Sequence, residues 1–188
     1  MRVGILALQG DVEAHARVLR GLGAEAATVR REKELDGLSA LILPGGESTT
    51  ISKGIERTGL LEPLRGFVAS GRPVLGTCAG AILLAREVEN HPVPTLGALD
   101  VVATRNAYGT QVDSFAASLE APALPVLQGF RCVFIRAPRL RRPGEELEVL
   151  GRQGGWPVLV RQGPVFAATF HPELSDDPRI HELVLSAA

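Results

Sequence analysis

The sequence predicts a single α/β domain, residues 1–188, with a mostly parallel central sheet flanked by helices and an added antiparallel portion in its second half. Three observations carry that reading. Short apolar runs alternate with helix-length stretches through the first half. Those runs are apolar almost throughout, as expected of parallel strands covered on both faces. In the second half, strand-like segments follow one another with only turn residues between them.

The elements follow in order. Val3–Leu8 opens as a strand. Val12, Leu19 and Leu22, with Ala16 and Val18, form the apolar face of a helix ended by Gly21 and Gly23. Ala24–Val29 and Ala40–Leu43 are the second and third strands, the latter stopped by Pro44-Gly45-Gly46. Helices fit Thr50–Arg57 and Leu60–Ala69, with Gly59 between them. Val74–Gly76 is a short buried strand, and Ala79–Arg86 starts a helix rich in small residues. Leu99–Thr104, Ser114–Leu119, Cys132–Ile135, Leu147–Arg152, Val158–Gln162 and Val165–Phe170 read as further strands, the last two joined by Gly163-Pro164 as a hairpin. Ser175 is placed to cap a final helix with Ile180, Leu183 and Val184 on one face. No internal repeat or low-complexity tract divides the chain.

Composition narrows the function. The 188 residues suffice to bury on the order of 70% of the surface of the unfolded chain. Lys and Arg number 20 against 21 Asp and Glu, and the densest basic patch is Arg139, Arg141 and Arg142. That balance argues against nucleic-acid or polybasic membrane binding. The uncharged stretch Pro73–Ala85 is far short of the roughly 20 residues of a membrane helix. The N-terminal apolar run is interrupted by Gly4 and Gln9 and reads as the first strand of a cytoplasmic protein, not a signal peptide. Two cysteines are too few for a disulfide framework, and the histidines at 15, 91, 171 and 181 make no zinc-binding spacing, so no metal is expected.

The strongest chemical signal is Gly76-Thr77-Cys78-Ala79-Gly80, set between a buried strand and an apolar helix. This is the context of a nucleophile elbow, with cysteine in the place of serine. Glycines two residues either side leave room for a sharp turn. A helix N-terminus beside Cys78 favours its thiolate, and the Ala79 N–H is placed to meet a developing oxyanion. Cys132, without flanking glycines, reads as core. The base is His171, at the end of a strand and held extended by Pro172. Glu173, two residues on, projects to the same side of an extended segment and orients the imidazole. His15, His91 and His181 read as surface or boundary residues. In Leu43-Pro44-Gly45-Gly46-Glu47-Ser48-Thr49-Thr50 the two glycines allow close approach to a ligand. Gly46 N–H is the candidate second oxyanion donor, and Ser48 or Thr49 the candidate helix cap.

PGGES, GTCAG and FHPE, in this order, resemble the class I glutamine amidotransferases, with their flavodoxin-like fold and Cys-His-Glu triad. GILALQG, LILPGGESTT, GTCAGAILLA, RNAYGTQVDSF, FIRAP and FHPELSDD narrow the resemblance to the glutaminase subunits of ribose 5-phosphate-dependent pyridoxal 5′-phosphate synthases, over essentially the whole chain. The resemblance implies hydrolysis of L-glutamine to L-glutamate and ammonia through a glutamyl thioester. Cys78 would be the nucleophile, His171 the proton carrier and Glu173 its orienter, with Gly46 and Ala79 as the oxyanion hole. It further implies that Gly46, Glu47, Ser48, Arg105, Ile135 and Arg136 hold glutamine, and that ammonia passes to a separate synthase subunit. Gln9 would lie at that contact, near the oxyanion loop. Pyridoxal 5′-phosphate would be the product of the complex and not a cofactor of this chain. Two departures from the family pattern are Thr110, usually Arg, and Ala14, often Glu.

Other readings of the same residues are a different amidotransferase-like cysteine hydrolase, the glutaminase of another biosynthetic complex, and a non-catalytic subunit that keeps only the fold. The intact set Cys78, His171 and Glu173 speaks against the last.

Overall fold

In the computed structural model, which describes residues 1–90, 92–105 and 114–188, the first half runs β1 (Arg2–Leu6), α1 (Val12–Gly21), β2 (Glu25–Val29), β3 (Ala40–Leu43), α2 (Ser48–Thr58), α3 (Leu61–Ala69), β4 (Val74–Thr77) and α4 (Ala79–Leu84). The remainder runs β5 (Ala85–Glu89), β6 (Leu99–Thr104), β7 (Phe115–Ser118), β8 (Arg131–Phe134), β9 (Arg139–Arg141), β10 (Glu148–Gln153), β11 (Trp156–Gln162), β12 (Val165–Ala168) and α5 (Arg179–Leu185). His91, Thr110 and most of the RNAYGTQVDSF stretch lie outside the described residues.

The main sheet has the order β10-β11-β12-β4-β3-β1-β2. From β12 to β2 the strands are parallel, and β10 and β11 extend the sheet antiparallel. The expected α/β architecture, mostly parallel with an antiparallel addition, is therefore present. The Gly163-Pro164 hairpin is present too, pairing Gln162 with Val165.

Strict alternation assigns the side chains to two cores. Val3, Ile5, Ala40, Ile42 and Phe166 pack with Leu19 of α1 and Ile180 and Val184 of α5. Leu6, Leu41, Leu43, Val165 and Ala167 pack with Ile51 and Ile55 of α2 and Leu64 and Phe67 of α3. Each residue of β3, β4 and β12 is buried, which is why those segments read as continuous apolar runs. The carboxyl ends of β4 and β12 lie side by side, and they carry the residues that follow: Cys78 after one, His171 after the other.

Four local expectations are corrected. The helix anticipated over Ala79–Arg86 ends at Leu84, because the next five residues form β5 and pair in parallel with β6. Sheet pairing outweighs the helix propensity of Ala-Arg-Glu. The Arg-rich triplet of β9 was not anticipated as a strand; only Leu140 turns inward, and the triplet pairs antiparallel with β6. The helix α2 is capped by Glu47 rather than Ser48 or Thr49: its carboxylate accepts from the N–H groups of Thr49 (3.0 Å) and Thr50 (2.7 Å). Ser175 does not cap α5, which begins after Pro178. Its hydroxyl donates to Pro172 O at 2.7 Å, closing a 3-10 turn, while Asp177 accepts from the Arg179 N–H.

Candidate active site

Cys78 stands between β4 and α4 with φ +48° and ψ −101°, a conformation that costs a non-glycine residue roughly 1–3 kcal/mol. Its N–H donates to Ala168 O of β12 at 2.8 Å, locking the elbow to the neighbouring strand. The flanking glycines are required by packing. A Cβ on Gly76 would come within 2.6 Å of the Gly80 backbone, and one on Gly80 would collide with the Leu43 carbonyl of β3. The GxCxG spacing thus lets the turn fold on itself beneath the cysteine.

His171 follows β12, its N–H donating to Val133 O at 2.8 Å. Its Nδ1–H donates to Glu173 Oε1 at 2.7 Å. The pairing is as expected, but the backbone is not extended: Pro172–Leu174 forms a 3-10 turn, in which proline at the first position lacks only an N–H that would have no partner. Burial disfavours the charged His171 ring, but hydrogen bonds with Cys78 and Glu173 outweigh it and push the histidine up to about 10. The other cysteine, Cys132, is fully buried, and burial alone pushes its thiol up to about 12.

The raised His171 value has a consequence for stability. A histidine whose folded value lies above its ordinary 6.5 adds stability that is fully present below pH 6.5 and is lost as pH rises through about 10. The melting temperature should therefore fall between pH 7 and pH 10, and His171→Gln should flatten that slope in thermal denaturation followed by circular dichroism. An equal slope in both proteins would refute the ion pair.

The glycine-rich loop lies over Cys78 and His171. A Cβ on Gly45 would collide with His171 Cε1 and lie 3.2 Å from Cys78 Cβ. In the sequence Gly45 reads only as half of a Gly-Gly turn; in three dimensions it makes space for the His171 ring and Cys78. The Gly45 N–H donates to Thr77 Oγ1 at 3.0 Å. Gln9 reaches the same loop and accepts from the Glu47 N–H at 2.6 Å.

These elements border an open cleft lined by Gln9, Gly46, Glu47, Ser48, Cys78, Ala79, Arg105, Ile135, Arg136 and His171, together with Ile82 and Pro138. Of the residues expected in the triad, the oxyanion hole, glutamine binding and the partner contact, all but Glu173 line it; Glu173 sits buried behind His171. Ile135 O lies 3.7 Å from Cys78 Sγ. Arg105 donates to Thr49 Oγ1 at 3.0 Å and lies 3.4 Å from Glu47 Oε1. The Thr50 hydroxyl and the amides of Thr49 and Thr50 hold Glu47 down at about 2, against the effect of burial. The cleft therefore presents a fixed carboxylate and two guanidinium groups around the thiol. Ala79, the first residue of α4, has an N–H that precedes the intrahelical ladder.

Two residues expected at the surface or a boundary lie elsewhere. His15 is 0% and His181 1% exposed, because α1 and α5 cover the same sheet face and turn these side chains toward each other. Ala14, one of the departures from the family pattern, is buried as well.

The architecture is that of the class I glutamine amidotransferases. A solved structure described as a glutamine amidotransferase aligns with a TM-score of 0.92 at 51% identity, covering 98% of this chain and 97% of its own. A second glutamine amidotransferase structure, from Thermotoga maritima, shares the fold at 14% identity and a TM-score of 0.65, covering 100% of this chain and 94% of its own. The chain belongs to the SNO glutamine amidotransferase family, which matches residues 5–187. It is 55% identical over 188 residues to a Thermus thermophilus protein named pyridoxal 5′-phosphate synthase subunit PdxT, covering 99% of this chain and 97% of that one. A Parafrankia protein of the same name is 52% identical over 189 residues, with 97% and 90% covered.

Proposed function

We propose that this chain is a single glutaminase domain that hydrolyses L-glutamine to L-glutamate and ammonia and delivers the ammonia to a separate synthase subunit for pyridoxal 5′-phosphate biosynthesis. The observation that carries the reading is His171, paired with Glu173 at 2.7 Å and with Cys78 on its other side, at the wall of the cleft. Family membership and the names of the relatives support the substrate and the pathway.

The chemistry follows from those groups. The Cys78 thiolate attacks the side-chain amide carbon of glutamine, and negative charge develops on the carbonyl oxygen. The N–H groups of Ala79 and Gly46 are assigned to that oxygen. Collapse of the intermediate breaks the C–N bond as His171 gives its proton to the departing ammonia. His171 then takes a proton from water, which attacks the thioester and releases glutamate and the Cys78 thiolate. Glu173 holds the ring in the tautomer that presents Nε2 to the thiol. Arg105 and Arg136 suit the substrate α-carboxylate, which a guanidinium can bind bidentately, and Glu47, held ionised, suits its α-ammonium group. Glu47, Ser48 and Ile135 line the same pocket.

No cofactor or metal takes part in these steps, and pyridoxal 5′-phosphate is the product of the complex. The reaction is a hydrolysis when the chain acts alone and part of a lyase reaction in the complex. A reduced thiol nucleophile suits the cytoplasm; among the described residues no helix is long and apolar enough to cross a membrane. Gln9 is assigned to the synthase contact. Because it holds the Glu47 N–H, a partner that moves Gln9 also moves the loop carrying Gly46, and the oxyanion site is aligned on docking.

Ammonia release from glutamine, measured with and without the synthase subunit, tests this. Addition of the subunit should raise the rate by roughly 10²-fold, the worth of one well-placed oxyanion donor. Equal rates would overturn the docking account, and glutamine left intact under both conditions would overturn the glutaminase reading.

A further inference from the structure

Behind the triad, on the side away from the cleft, lies a second set of buried polar groups that the reaction steps do not use. His15 Nε2 is 3.4 Å from Glu173 Oε2, with both side chains fully buried. The same nitrogen is 3.2 Å from Thr77 Oγ1, and His15 Nδ1 is 2.9 Å from His181 Nε2. Glu173 Oε2 is buried and makes no regular hydrogen bond among the described residues; His15 Nε2 stands within ion-pair distance of it. Its companion oxygen is the one that holds His171. We propose that His15 is a positioning residue of the glutaminase reaction: its Nε2–H orients the Glu173 carboxylate from behind, and His181 fixes the tautomer that makes this possible.

The donor directions select that tautomer. With the proton of His15 on Nε2, the ring donates toward Glu173 and Thr77 and accepts at Nδ1 from the His181 Nε2–H. His181 Nδ1, buried and without a partner among the described residues, then carries only a lone pair. In the opposite arrangement His15 turns a lone pair toward an ionised carboxylate, and His181 is left with a buried, unpaired N–H. The Thr77 hydroxyl can serve His15 Nε2 as donor or acceptor, so the carboxylate decides: a lone pair turned toward ionised Glu173 is repulsive, whereas an Nε2–H is attracted to it.

The ring acts as a neutral donor. Burial lowers His15 below its ordinary 6.5, and His171 adds to that, against the opposing pull of Glu173 and Asp11. Burial likewise drives His181 down to about 3, with His15 adding to the effect against the pull of Glu173. The position also couples the parts of the site. Thr77 precedes Cys78 in the chain and accepts from the Gly45 N–H, so His15 touches both the carboxylate of the triad and the hydroxyl that anchors the glycine-rich loop.

This inference rests on the triad reading above, and the experiment separates the two. His15→Leu removes the donor, whereas His15→Gln keeps an amide N–H of similar reach. With the synthase subunit present, His15→Leu should lower kcat for glutamine about 10- to 100-fold with KM nearly unchanged, as loss of a group that orients a catalytic residue does. The acid limb of its pH–rate profile should move upward, because a carboxylate that has lost a donor protonates more readily. His15→Gln should restore most of kcat and return the limb to its place. An unmoved limb in His15→Leu, or a His15→Gln as impaired as His15→Leu, would overturn the proposal. Nitrogen-15 NMR of the histidines in the unmodified protein decides it without any variant: His15 protonated at Nε2 supports the proposal, and at Nδ1 overturns it. Activity surviving in Cys78→Ala would overturn the triad itself, whatever the His15 tautomer.

Discussion

Cys78→Ala is expected to abolish ammonia release from glutamine, by at least about 10⁴-fold, while the protein keeps its fold. The magnitude follows from the chemistry: without the sulfur no thioester forms, and the remaining oxyanion donors and binding groups supply only a residual rate. Removing Sγ relieves nothing in the backbone, because the N–H of residue 78 still donates to Ala168 O and the glycines at 76 and 80 still close the turn. The melting temperature should therefore change little. The matching change at the second cysteine, Cys132→Ala, leaves activity within a few-fold, because that thiol is enclosed in the core and held protonated by burial. A steady-state assay on the two purified variants checks both; a Cys78→Ala protein retaining even a hundredth of the rate would contradict the nucleophile assignment.

Gly45→Ala is expected to lower the rate by roughly 10²-fold or more with the fold intact, the size of loss that a misplacement of about 1 Å produces in a catalytic group. The added methyl has nowhere to go except against the His171 ring and Cys78 Cβ. Gly45 lies two residues beyond the buried strand β3 and its N–H is already held by Thr77, so the loop cannot readily retreat and the displacement passes to the imidazole. The raised His171 value depends on contact with both Cys78 and Glu173, and a displaced ring weakens both. Measured kcat and melting temperature together check this. Near-normal activity, or a loss of activity that only tracks unfolding, would contradict it.

The parts of this site that could be read from the chain are those whose chemistry is local. The elbow is written in five consecutive residues, because the turn needs Gly76 and Gly80 to pass Cys78 between them. His171 and Glu173 are two residues apart and need only share a side, which a 3-10 turn achieves as well as the expected extended segment. The alternation of buried strands and helices likewise reports burial on two faces directly. What was hidden depends on contacts between distant segments. His15 and His181 are separated by 166 positions, and neither helix alone shows that its histidine points inward. Gly45 looks like any turn glycine until β12 brings His171 beneath it. The strands β5 and β9, rich in Arg and Glu, are strands because β6 lies between them; their own residues say little.

The proposed role of Cys78 as the nucleophile of a glutamine-hydrolysing triad is tested most directly by a glutamine-mimicking electrophile followed by peptide mass mapping. The structure has one cysteine in the cleft beside a base and another sealed in the core. The predicted result is a single adduct on Cys78, suppressed by excess glutamine and absent from Cys132. An adduct on Cys132, or an unlabelled Cys78 in protein that hydrolyses glutamine, would contradict it.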